Sequence, residues 1–445
     1  MGSRYGEILP LRLLTPGKPG TIIFVRATSR WCPGENRIVC AFVSAAPGPR
    51  WRPPEPTRMT LQRFSAELDA LAAIDQRRRR LVLDSPQGAR IEVDGRRYLA
   101  FCSNDYLGLA ADPRLAEVAA DAVRRYGVGS GASPLVTGHH ASHERLEQAL
   151  ADFVGLEAAL HFSTGYMANL AVVTALAGAE DAVFSDSLNH ASLIDGMRLS
   201  RAKVVRYPHC DVAALEQALA STPARDRFVV TESIFSMDGD LAPLDTLLAV
   251  CERHEAWLVI DDAHGFGVLG EGGRGALEHF GLRSPRIIYV GTLGKAAGVH
   301  GAFVAGAMDV VEVVLQRGRS YIFTTATPPF LAPVIGASLG LIHTEHWRRE
   351  TLRSHIGRLK RGLAGTALKR VPSESPIQPV VCGSNTAALA ASRHLRERGL
   401  IVSAIRPPTV PEGTSRLRIS LSAAHSAEDI DRLVSALREL DTRTA

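Results

Sequence analysis

Cysteine and long apolar runs are both scarce in this chain of 445 residues. Its six cysteines are scattered, with no C-x-x-C pair and no cluster of cysteine and histidine at metal-ligand spacing. This pattern argues against a disulfide framework and predicts no bound metal. No apolar stretch approaches the roughly 20 residues that span a bilayer, and no apolar core of a secretory signal opens the chain. We therefore expect a cytoplasmic location, reduced thiols and no membrane partner.

An excess of positive charge is missing from most of the chain, although the formal net charge is +5 and the pI is about 9.0. Residues 1–58 hold nine basic residues against three acidic ones, so the remainder is close to neutral. A nucleic-acid partner is therefore not expected. Segment 1–58 is rich in Pro, Gly and Arg, whereas a helical repeat of apolar residues begins directly after Met59. We expect residues 1–58 to be an N-terminal extension that is disordered or not native, with Met59 as the natural start.

Beyond about residue 99, apolar runs of strand length alternate with amphipathic stretches, a pattern typical of an α/β domain around a mainly parallel sheet. Runs such as W-L-V-I are apolar without alternation, as expected for strands covered on both faces. The predicted strands are Ala158–Phe162, Ala182–Ser185, Lys203–Tyr207, Phe228–Thr231, Trp257–Ile260, Ile287–Val290 and Gly301–Ala305.

After about Leu331 the pattern changes to long helices, one alternating strand and a closing helix, which predicts a smaller α+β domain. We therefore divide the chain after the extension into three parts. They are an N-terminal helix and arm at 59–105, a large domain at 106–330 and a small C-terminal domain at 331–445.

Lysine is rare, because only five of the 51 basic residues are lysines. A covalent link between a side-chain amine and a carbonyl group requires a lysine, since arginine cannot act as a neutral amine. Lys295 stands in a small, uncharged, Gly-rich turn after an apolar run, where desolvation would lower its pKa. The others lie in the N-terminal extension, at a strand start or among arginines on predicted surface helices. Lys295 is therefore the candidate for a Schiff-base lysine.

Three further segments place polar residues directly after predicted strands, where ligands bind in open parallel sheets. S-T-G-Y-M-A-N puts Gly165 and Tyr166 at the start of a helix, whose free backbone N–H groups suit a phosphate. W-L-V-I-D-D-A-H-G delivers Asp261, which could hold a pyridine nitrogen protonated and so create an electron sink, and His264. N-H-A-S offers His190, an imidazole that can stack on a ring or relay protons. Taken alone, each segment fits a structural turn, a capping aspartate or a structural histidine better than a ligand site.

Several motifs in a fixed order carry more weight than these single segments. They are S-N-D-Y-L-G-L at 103–109, G-S-G-A-S at 129–133, N-H-A-S at 189–192, T-E-S-I-F-S-M-D-G-D at 231–240, D-D-A-H-G at 261–265 and T-L-G-K at 292–295. On these motifs the chain resembles the α-oxoamine synthase family of fold-type-I pyridoxal-phosphate enzymes, over roughly residues 60–440. The resemblance implies a large domain with a mainly parallel sheet flanked by helices, plus a smaller C-terminal α+β domain.

The resemblance also implies a role for each matching residue around pyridoxal 5'-phosphate. Lys295 would hold the cofactor as a Schiff base and then remove the α-proton of the substrate. Asp261 would pair with the ring nitrogen, His264 would bond the phenolic oxygen and His190 would stack on the ring. Further cofactor contacts would come from Gly165, Tyr166, Ser236 and Thr292, and from Thr324 or Thr325 of a second subunit. Substrate contacts would come from Asn104 and Arg418 for the amino-acid carboxylate, and from Arg78 and Thr409 for the acyl group.

Two C-terminal segments, P-I-Q-P at 376–379 and R-P-P-T-V-P-E-G-T-S-R-L-R-I at 406–419, resemble the biotin-pathway branch of this family. That branch implies condensation of L-alanine with a pimeloyl thioester, carried on acyl carrier protein or coenzyme A, with loss of CO2. It also implies a homodimer with active sites at the subunit interface. The nearest alternatives are a glycine-using member that takes a short acyl-CoA and an aminotransferase. A nicotinamide-dependent dehydrogenase is a more distant one, because the glycines of G-V-G-S-G follow a predicted helix, Leu115–Tyr126, rather than a strand.

Overall fold

The computed structural model of the protein describes residues 55–444, with side chains from residue 61 to residue 441. The chain divides into two units, Met1–Ala73 and Ile74–Ala445. The described part of the first unit is one helix, α1 (Glu55–Ala73), as the apolar repeat after Met59 predicts. The predicted extension at 1–58 lies outside the described residues, except where α1 begins. The predicted divisions near residues 105 and 330 stay predictions.

The second unit contains the remaining helices and all the strands of the described residues. The helices are α2 (Pro113–Tyr126), α3 (Ala141–Val154), α4 (Gly165–Leu176), α5 (Ala191–Ser200), α6 (Val212–Ser221), α7 (Leu244–Arg253), α8 (Ala276–Phe280), α9 (Met308–Arg317), α10 (Arg319–Ile322), α11 (Leu331–Thr344), α12 (His346–Gly362), α13 (Asn385–Glu397) and α14 (Ala427–Thr444), with one π-helical turn at Pro134–Gly138. The strands are β1 (Arg90–Val93), β2 (Arg96–Ala100), β3 (Ala158–Phe162), β4 (Ala182–Asp186), β5 (Lys203–Tyr207), β6 (Arg227–Glu232), β7 (Trp257–Asp261), β8 (Ile287–Thr292), β9 (Ala302–Gly306), β10 (Lys369–Arg370), β11 (Ile377–Gly383), β12 (Leu400–Ile401), β13 (Ser403–Ile405) and β14 (Ser415–Ser420).

A seven-stranded sheet forms the centre of the second unit, in the order β3-β9-β8-β7-β6-β4-β5. Strand β9 runs antiparallel to both of its neighbours, and every other neighbouring pair is parallel. The prediction of a mainly parallel sheet is therefore confirmed. All seven predicted strands belong to this sheet, and their ends differ from the predicted ones by at most two residues.

Both faces of the central sheet are buried, because successive side chains of a strand point to opposite sides. In β7, Leu258 and Ile260 belong to the core on one side and Val259 to the core on the other. Helices α3, α7 and α11 contribute to the first core, and α4 and α5 contribute to the second. With both faces covered, the ends of the strands are the part of the sheet left open to a ligand.

Strands that precede and follow the central sheet along the chain form two smaller sheets. The four-stranded sheet has the order β10-β11-β14-β13 and is antiparallel throughout. The three-stranded sheet joins the hairpin β1-β2 to β12, which pairs parallel to β2 with Leu400 opposite Leu99. Residues before the large sheet therefore pair with residues near the C-terminus. Among the described residues, no helix combines the length and the apolar character that crossing a membrane requires.

Candidate active site

A cleft opens beyond the carboxyl ends of β6, β7 and β8, with a cavity volume of about 330 Å³. This volume lies within the usual range of small-molecule sites. The cleft brings together most of the site residues that the sequence predicts. Those that line it are Asn104, Gly165, Tyr166, His190, Asp261, His264, Thr292 and Lys295.

Lys295 projects into this cleft from the turn that follows β8. Its Nζ lies 3.0 Å from Nε2 of His264. Burial among protein atoms lowers the pKa of Lys295 to about 8, although the negative charge of Asp261 and Glu232 acts in the opposite direction. A lysine with that pKa holds an appreciable fraction of neutral, nucleophilic amine near neutral pH.

Asp261 is the last residue of β7, and its carboxylate faces the cleft. Its Oδ2 accepts a hydrogen bond of 2.6 Å from Nδ2 of Asn169, and its Oδ1 accepts one of 3.0 Å from the backbone N–H of Ala263. The next residue, Asp262, points into the core, where its Oδ2 accepts a hydrogen bond of 2.6 Å from the hydroxyl of Tyr289. Only the first residue of the D-D pair is therefore available to a ligand.

His264 is buried between Lys295 and Tyr106. Its Nδ1 lies 2.7 Å from the Tyr106 hydroxyl, opposite the contact of Nε2 with Lys295. Burial lowers the pKa of His264 well below 6.5, and the positive charges of Lys295 and Arg418 lower it further. The ring is therefore neutral. Sequence reasoning missed Tyr106, although it stands in the quoted motif S-N-D-Y.

A chain of hydrogen bonds connects His190 to Asp261. Nδ1 of His190 lies 2.7 Å from Oγ of Ser192, which accepts a hydrogen bond of 2.9 Å from Nδ2 of Asn169. Asn169 also bonds Asp261, and its Oδ1 is buried without a partner among the described residues. Sequence reasoning missed both Ser192 and Asn169. One signal was available for Asn169, since it lies one helical turn after Gly165 on α4 and so faces the same side.

The N-terminus of α4 borders the cleft and leaves backbone N–H groups free. Thr164 caps the helix by accepting a hydrogen bond of 3.2 Å from the backbone N–H of Met167. A Cβ atom on Gly165 would lie 2.7 Å from Cγ2 of Thr292, so this close approach requires glycine. Thr292 itself donates a hydrogen bond of 3.1 Å to the carbonyl of Ala263. The helix end is therefore held beside the cleft in a form that suits an anion.

Arg418 on β14 is buried, with 6% of its surface exposed. Its Nε donates to the carbonyl of Ser236 at 2.6 Å, and its Nη1 donates to Oδ1 of Asn104 at 3.1 Å and to Oγ of Ser420 at 2.9 Å. In the described part of the chain these acceptors are neutral, and no carboxylate forms an ion pair with Arg418. A buried guanidinium without a counter-ion attracts an anionic ligand. Ser236 does not line the cleft, but its backbone contacts Arg418 and Glu232.

Glu232 is a second carboxyl group in the cleft and was not predicted. It ends β6 directly opposite Asp261 in the strand register. Burial raises the pKa of Glu232 well above 4.5, and the charge of Asp261 raises it further. Its Oε1 is buried without a partner among the described residues, while its Oε2 accepts from the backbone N–H of Ser236 at 3.3 Å. The strand register could have indicated this residue, because neighbouring parallel strands end at the same edge.

Besides Arg418 and Ser236, which do not line the cleft, four further predicted residues lie outside it in a single chain. Thr324 and Thr325 line a separate small pocket, which shares only Ser163 with the cleft. Arg78 is exposed, and its Nη2 lies 3.4 Å from Oγ1 of Thr409, so these two are brought together but away from the cleft lining. The roles of these four residues stay predictions.

Comparison with known proteins identifies the family of this chain. The family model for aminotransferase class I and II matches residues 96–437. The 8-amino-7-oxononanoate synthase 1 of Polaromonas sp. (strain JS666) is 57% identical over 392 residues, which cover 86% of this chain and 97% of the relative. The 8-amino-7-oxononanoate synthase of Nitrosospira multiformis is 58% identical over 364 residues, which cover 82% of this chain and 92% of the relative.

Among solved structures, the serine palmitoyltransferase of S. paucimobilis with a bound PLP–myriocin aldimine is similar over 86% of this chain and 98% of its own. The TM-score is 0.81 and the sequence identity is 31%. The match of the family model and the identity to the curated relatives both extend over most of the chain. The chain therefore belongs to the aminotransferase class I and II family and, within it, to the 8-amino-7-oxononanoate synthases.

Proposed function

We propose that the protein catalyses the decarboxylative condensation of L-alanine with a pimeloyl thioester, a step of biotin biosynthesis. The products are 8-amino-7-oxononanoate, CO2 and the free carrier thiol, and the carrier is acyl carrier protein or coenzyme A. The cofactor is pyridoxal 5'-phosphate. One observation carries the proposal: Lys295 and Asp261 line the same cleft at the ends of adjacent strands. The identity of the chain to 8-amino-7-oxononanoate synthases supports it.

The residues of the cleft fit the functional groups of this cofactor. The amine of Lys295 suits its aldehyde, and the carboxylate of Asp261 suits a ring nitrogen that is to stay protonated. The open N-terminus of α4 with Thr292 suits its phosphate. The imidazole of His190 borders the cleft and suits stacking against a planar ring. The aldehyde, the ring nitrogen, the phosphate and the ring plane of the cofactor therefore each have a matching group in the cleft.

The reaction requires a carbanion at Cα of alanine, and bound pyridoxal phosphate supplies an electron sink for it. Lys295 is the base for the α-proton, because its lowered pKa lets the amine accept a proton near neutral pH. The negative charge of Asp261 would hold the ring nitrogen protonated. Hydrogen bonds from Asn169 and Ala263 fix this carboxylate beside the cleft. His264 is neutral and would hydrogen-bond the phenolic oxygen of the cofactor without adding a positive charge.

Arg418 and Asn104 hold the carboxylate of alanine. A carbon–carbon bond then forms between Cα and the thioester carbonyl carbon, and the carbon–sulfur bond breaks to release the carrier thiolate, which takes a proton from water. The bond from Cα to the carboxylate breaks next and releases CO2, and a proton from Lys295 replaces it on Cα. A buried cation at the carboxylate keeps that bond oriented in the cleft until CO2 leaves.

The remaining predicted residues complete the proposal. Arg78 and Thr409 would face the acyl chain, and Thr324 or Thr325 of a second subunit would reach the cofactor in a homodimer. We propose a cytoplasmic location for the enzyme.

An assay with two substrate pairs tests the function. Purified protein loaded with pyridoxal phosphate is given L-alanine with pimeloyl thioester, or glycine with acetyl-CoA, and CO2 and free thiol are measured. We expect equal amounts of both products from the first pair and little turnover of the second. Faster turnover of glycine with acetyl-CoA would identify the glycine-using alternative, and amino-group transfer without CO2 would identify an aminotransferase.

A further inference from the structure

Tyr106 is fully buried beside the cleft and has no part in the function proposed above. Its hydroxyl lies 2.7 Å from Nδ1 of His264, 3.1 Å from Oδ1 of Asn104 and 3.4 Å from Nη2 of Arg418. Nε2 of the same imidazole lies 3.0 Å from Nζ of Lys295. The Tyr106 hydroxyl thus connects the residues proposed for the substrate carboxylate with the lysine, through one histidine.

The donors and acceptors of this chain permit two arrangements. Arg418 can only donate and Oδ1 of Asn104 can only accept, whereas a tyrosine hydroxyl does both. If His264 carries its proton on Nδ1, it donates to Tyr106, and Tyr106 donates to Asn104. If His264 carries its proton on Nε2, Tyr106 donates to Nδ1, and Asn104 keeps its hydrogen bond from Arg418. In both arrangements the Tyr106 hydroxyl, Nδ1 of His264 and Oδ1 of Asn104 each have a hydrogen-bond partner.

The state of Lys295 selects between these arrangements. A protonated lysine has donors only, so it requires a bare Nε2 on His264 and hence the proton on Nδ1. Once Lys295 is linked to the cofactor, its ammonium donors are gone, and the cofactor brings acceptor oxygens into the cleft. Nε2 then becomes the better position for the proton of His264. Because His264 is neutral, it has only one proton to place.

We propose that Tyr106 is a positioning residue that sets the tautomer of His264 and lets it invert when Lys295 changes from free ammonium to the cofactor-linked form. The hydroxyl supports both tautomers by reversing the direction of its own hydrogen bond. The charged and titratable groups around the relay are Lys295, Arg418, His190, Asp261, Glu232 and, from the core side, Asp262. The inference rests on the proposed function only for the identity of the cofactor.

The tautomers can be observed directly in the wild-type protein. ¹⁵N NMR of histidine-labelled protein separates protonated from bare ring nitrogens, and the His264→Gln variant assigns the signal of His264. At pH 7 we expect the proton on Nδ1 without cofactor and on Nε2 after loading with pyridoxal phosphate. The same tautomer in both forms would overturn the inference. This measurement needs no change at Tyr106, so it decides the matter even where a variant does not fold.

The Tyr106→Phe variant provides a second readout. Phenylalanine cannot donate to Nδ1, so His264 becomes a weaker donor to the cofactor, which raises the proton affinity of the lysine-linked form. We expect the pKa of the visible absorbance band, titrated in the loaded enzyme, to rise by about one unit, a tenfold change in proton affinity. The matched control is Tyr289→Phe, which removes another buried hydroxyl, bonded to Asp262 in the core, and should leave that pKa unchanged.

The results distinguish this inference from the proposed function. Wild-type protein that forms no visible band with pyridoxal phosphate would contradict the proposed function itself. A normal band that titrates identically in wild type and Tyr106→Phe would contradict only the role of Tyr106. Equal shifts in Tyr106→Phe and Tyr289→Phe would also contradict it, because they would indicate a general effect of core destabilisation.

Discussion

Two neighbouring aspartates, one in the cleft and one in the core directly behind it, have different hydrogen-bond partners. Asp261 and Asp262 are adjacent, and both are buried. Asp261 faces the cleft, and its carboxylate accepts hydrogen bonds from one side-chain amide and one backbone N–H. Asp262 lies in the core and accepts hydrogen bonds from Ser233, Tyr289 and Ala276. The alternation of a strand separates the two residues, and only the first keeps its charge free for a ligand.

Two arginines on β14 show the same contrast. Arg416 and Arg418 are both buried and lie on the same side of the strand. Arg416 forms an ion pair of 2.5 Å with Asp238, whereas the acceptors of Arg418 are neutral. Removing one partner of a buried ion pair destabilises a fold, whereas a buried cation without a carboxylate is available for an anion.

The largest effect is expected for the lysine of the cleft. Lys295→Ala removes the amine that binds the cofactor and moves the α-proton, so activity should fall by at least about 10³-fold and the visible absorbance band should disappear. The control is Lys203→Ala, which changes an exposed lysine at the start of β5. Retained absorbance in the Lys295 variant would refute the assignment of the lysine.

Substitution by asparagine should affect catalysis at Asp261 and stability at Asp262. Asp261→Asn should lower kcat roughly 10²-fold through loss of charge, with little loss of stability, because the amide of Asn169 can flip to present its unpaired Oδ1. Asp262→Asn should instead lower the free energy of unfolding by about 1–3 kcal/mol, since the backbone N–H of Ala276 cannot change its direction. Steady-state kinetics and urea denaturation of both variants test this, and similar effects on kcat would remove the contrast.

The arginine pair should separate substrate binding from stability. Arg418→Lys should raise KM for alanine about tenfold to hundredfold, because a lysine cannot reproduce the planar donors that hold a carboxylate. Arg416→Lys should leave that KM unchanged and lower the free energy of unfolding by about 1–2 kcal/mol. Initial rates at varied alanine, with thermal melting in parallel, provide the measurement. A KM effect of equal size in both variants would contradict the assignment of Arg418.

The smallest effect concerns pH and compares His264 with His209, a histidine outside the cleft. Burial alone would lower the pKa of His209, but hydrogen bonds to Asp186 and Asp240 raise it to about 12. Its contribution to stability is therefore complete below about pH 6.5 and declines as pH rises from there toward 12. His264 is neutral in the fold, so its effect has the opposite sign, a loss of stability as pH falls below 6.5.

Replacing His209 should expose this pH dependence. His209→Asn should lower the free energy of unfolding by on the order of 1–2 kcal/mol at pH 6, and the difference from wild type should narrow by pH 9. Urea denaturation at both pH values measures it, with His343→Asn, a change of an exposed histidine, as the control. A difference from wild type that grows with pH would show that His209 is not charged in the fold.

The sequence predicted the central sheet well because its strands are continuous apolar runs, which few other structures tolerate. It predicted the smaller sheets poorly. The hairpin β1-β2 was missed although Asp94 and Gly95, both at positive φ, form the D-G turn that is the strongest short hairpin signal. The short strands β10, β12 and β13 carry no such signal, since they span only two or three residues and depend on partners far along the chain.

The sequence by itself determined the chemistry available at the sheet edge. Asp261 and His264 stand at the end of one buried strand and Lys295 follows another, and neighbouring parallel strands end at the same edge of a sheet. Only the tertiary structure decided which polar neighbours complete the site. Contacts with residues distant along the chain give Tyr106, Asn169 and Glu232 their positions. The tertiary structure likewise leaves Arg418 without a carboxylate partner among the described residues. Such contacts are fixed by packing across elements, which no local pattern of residues records.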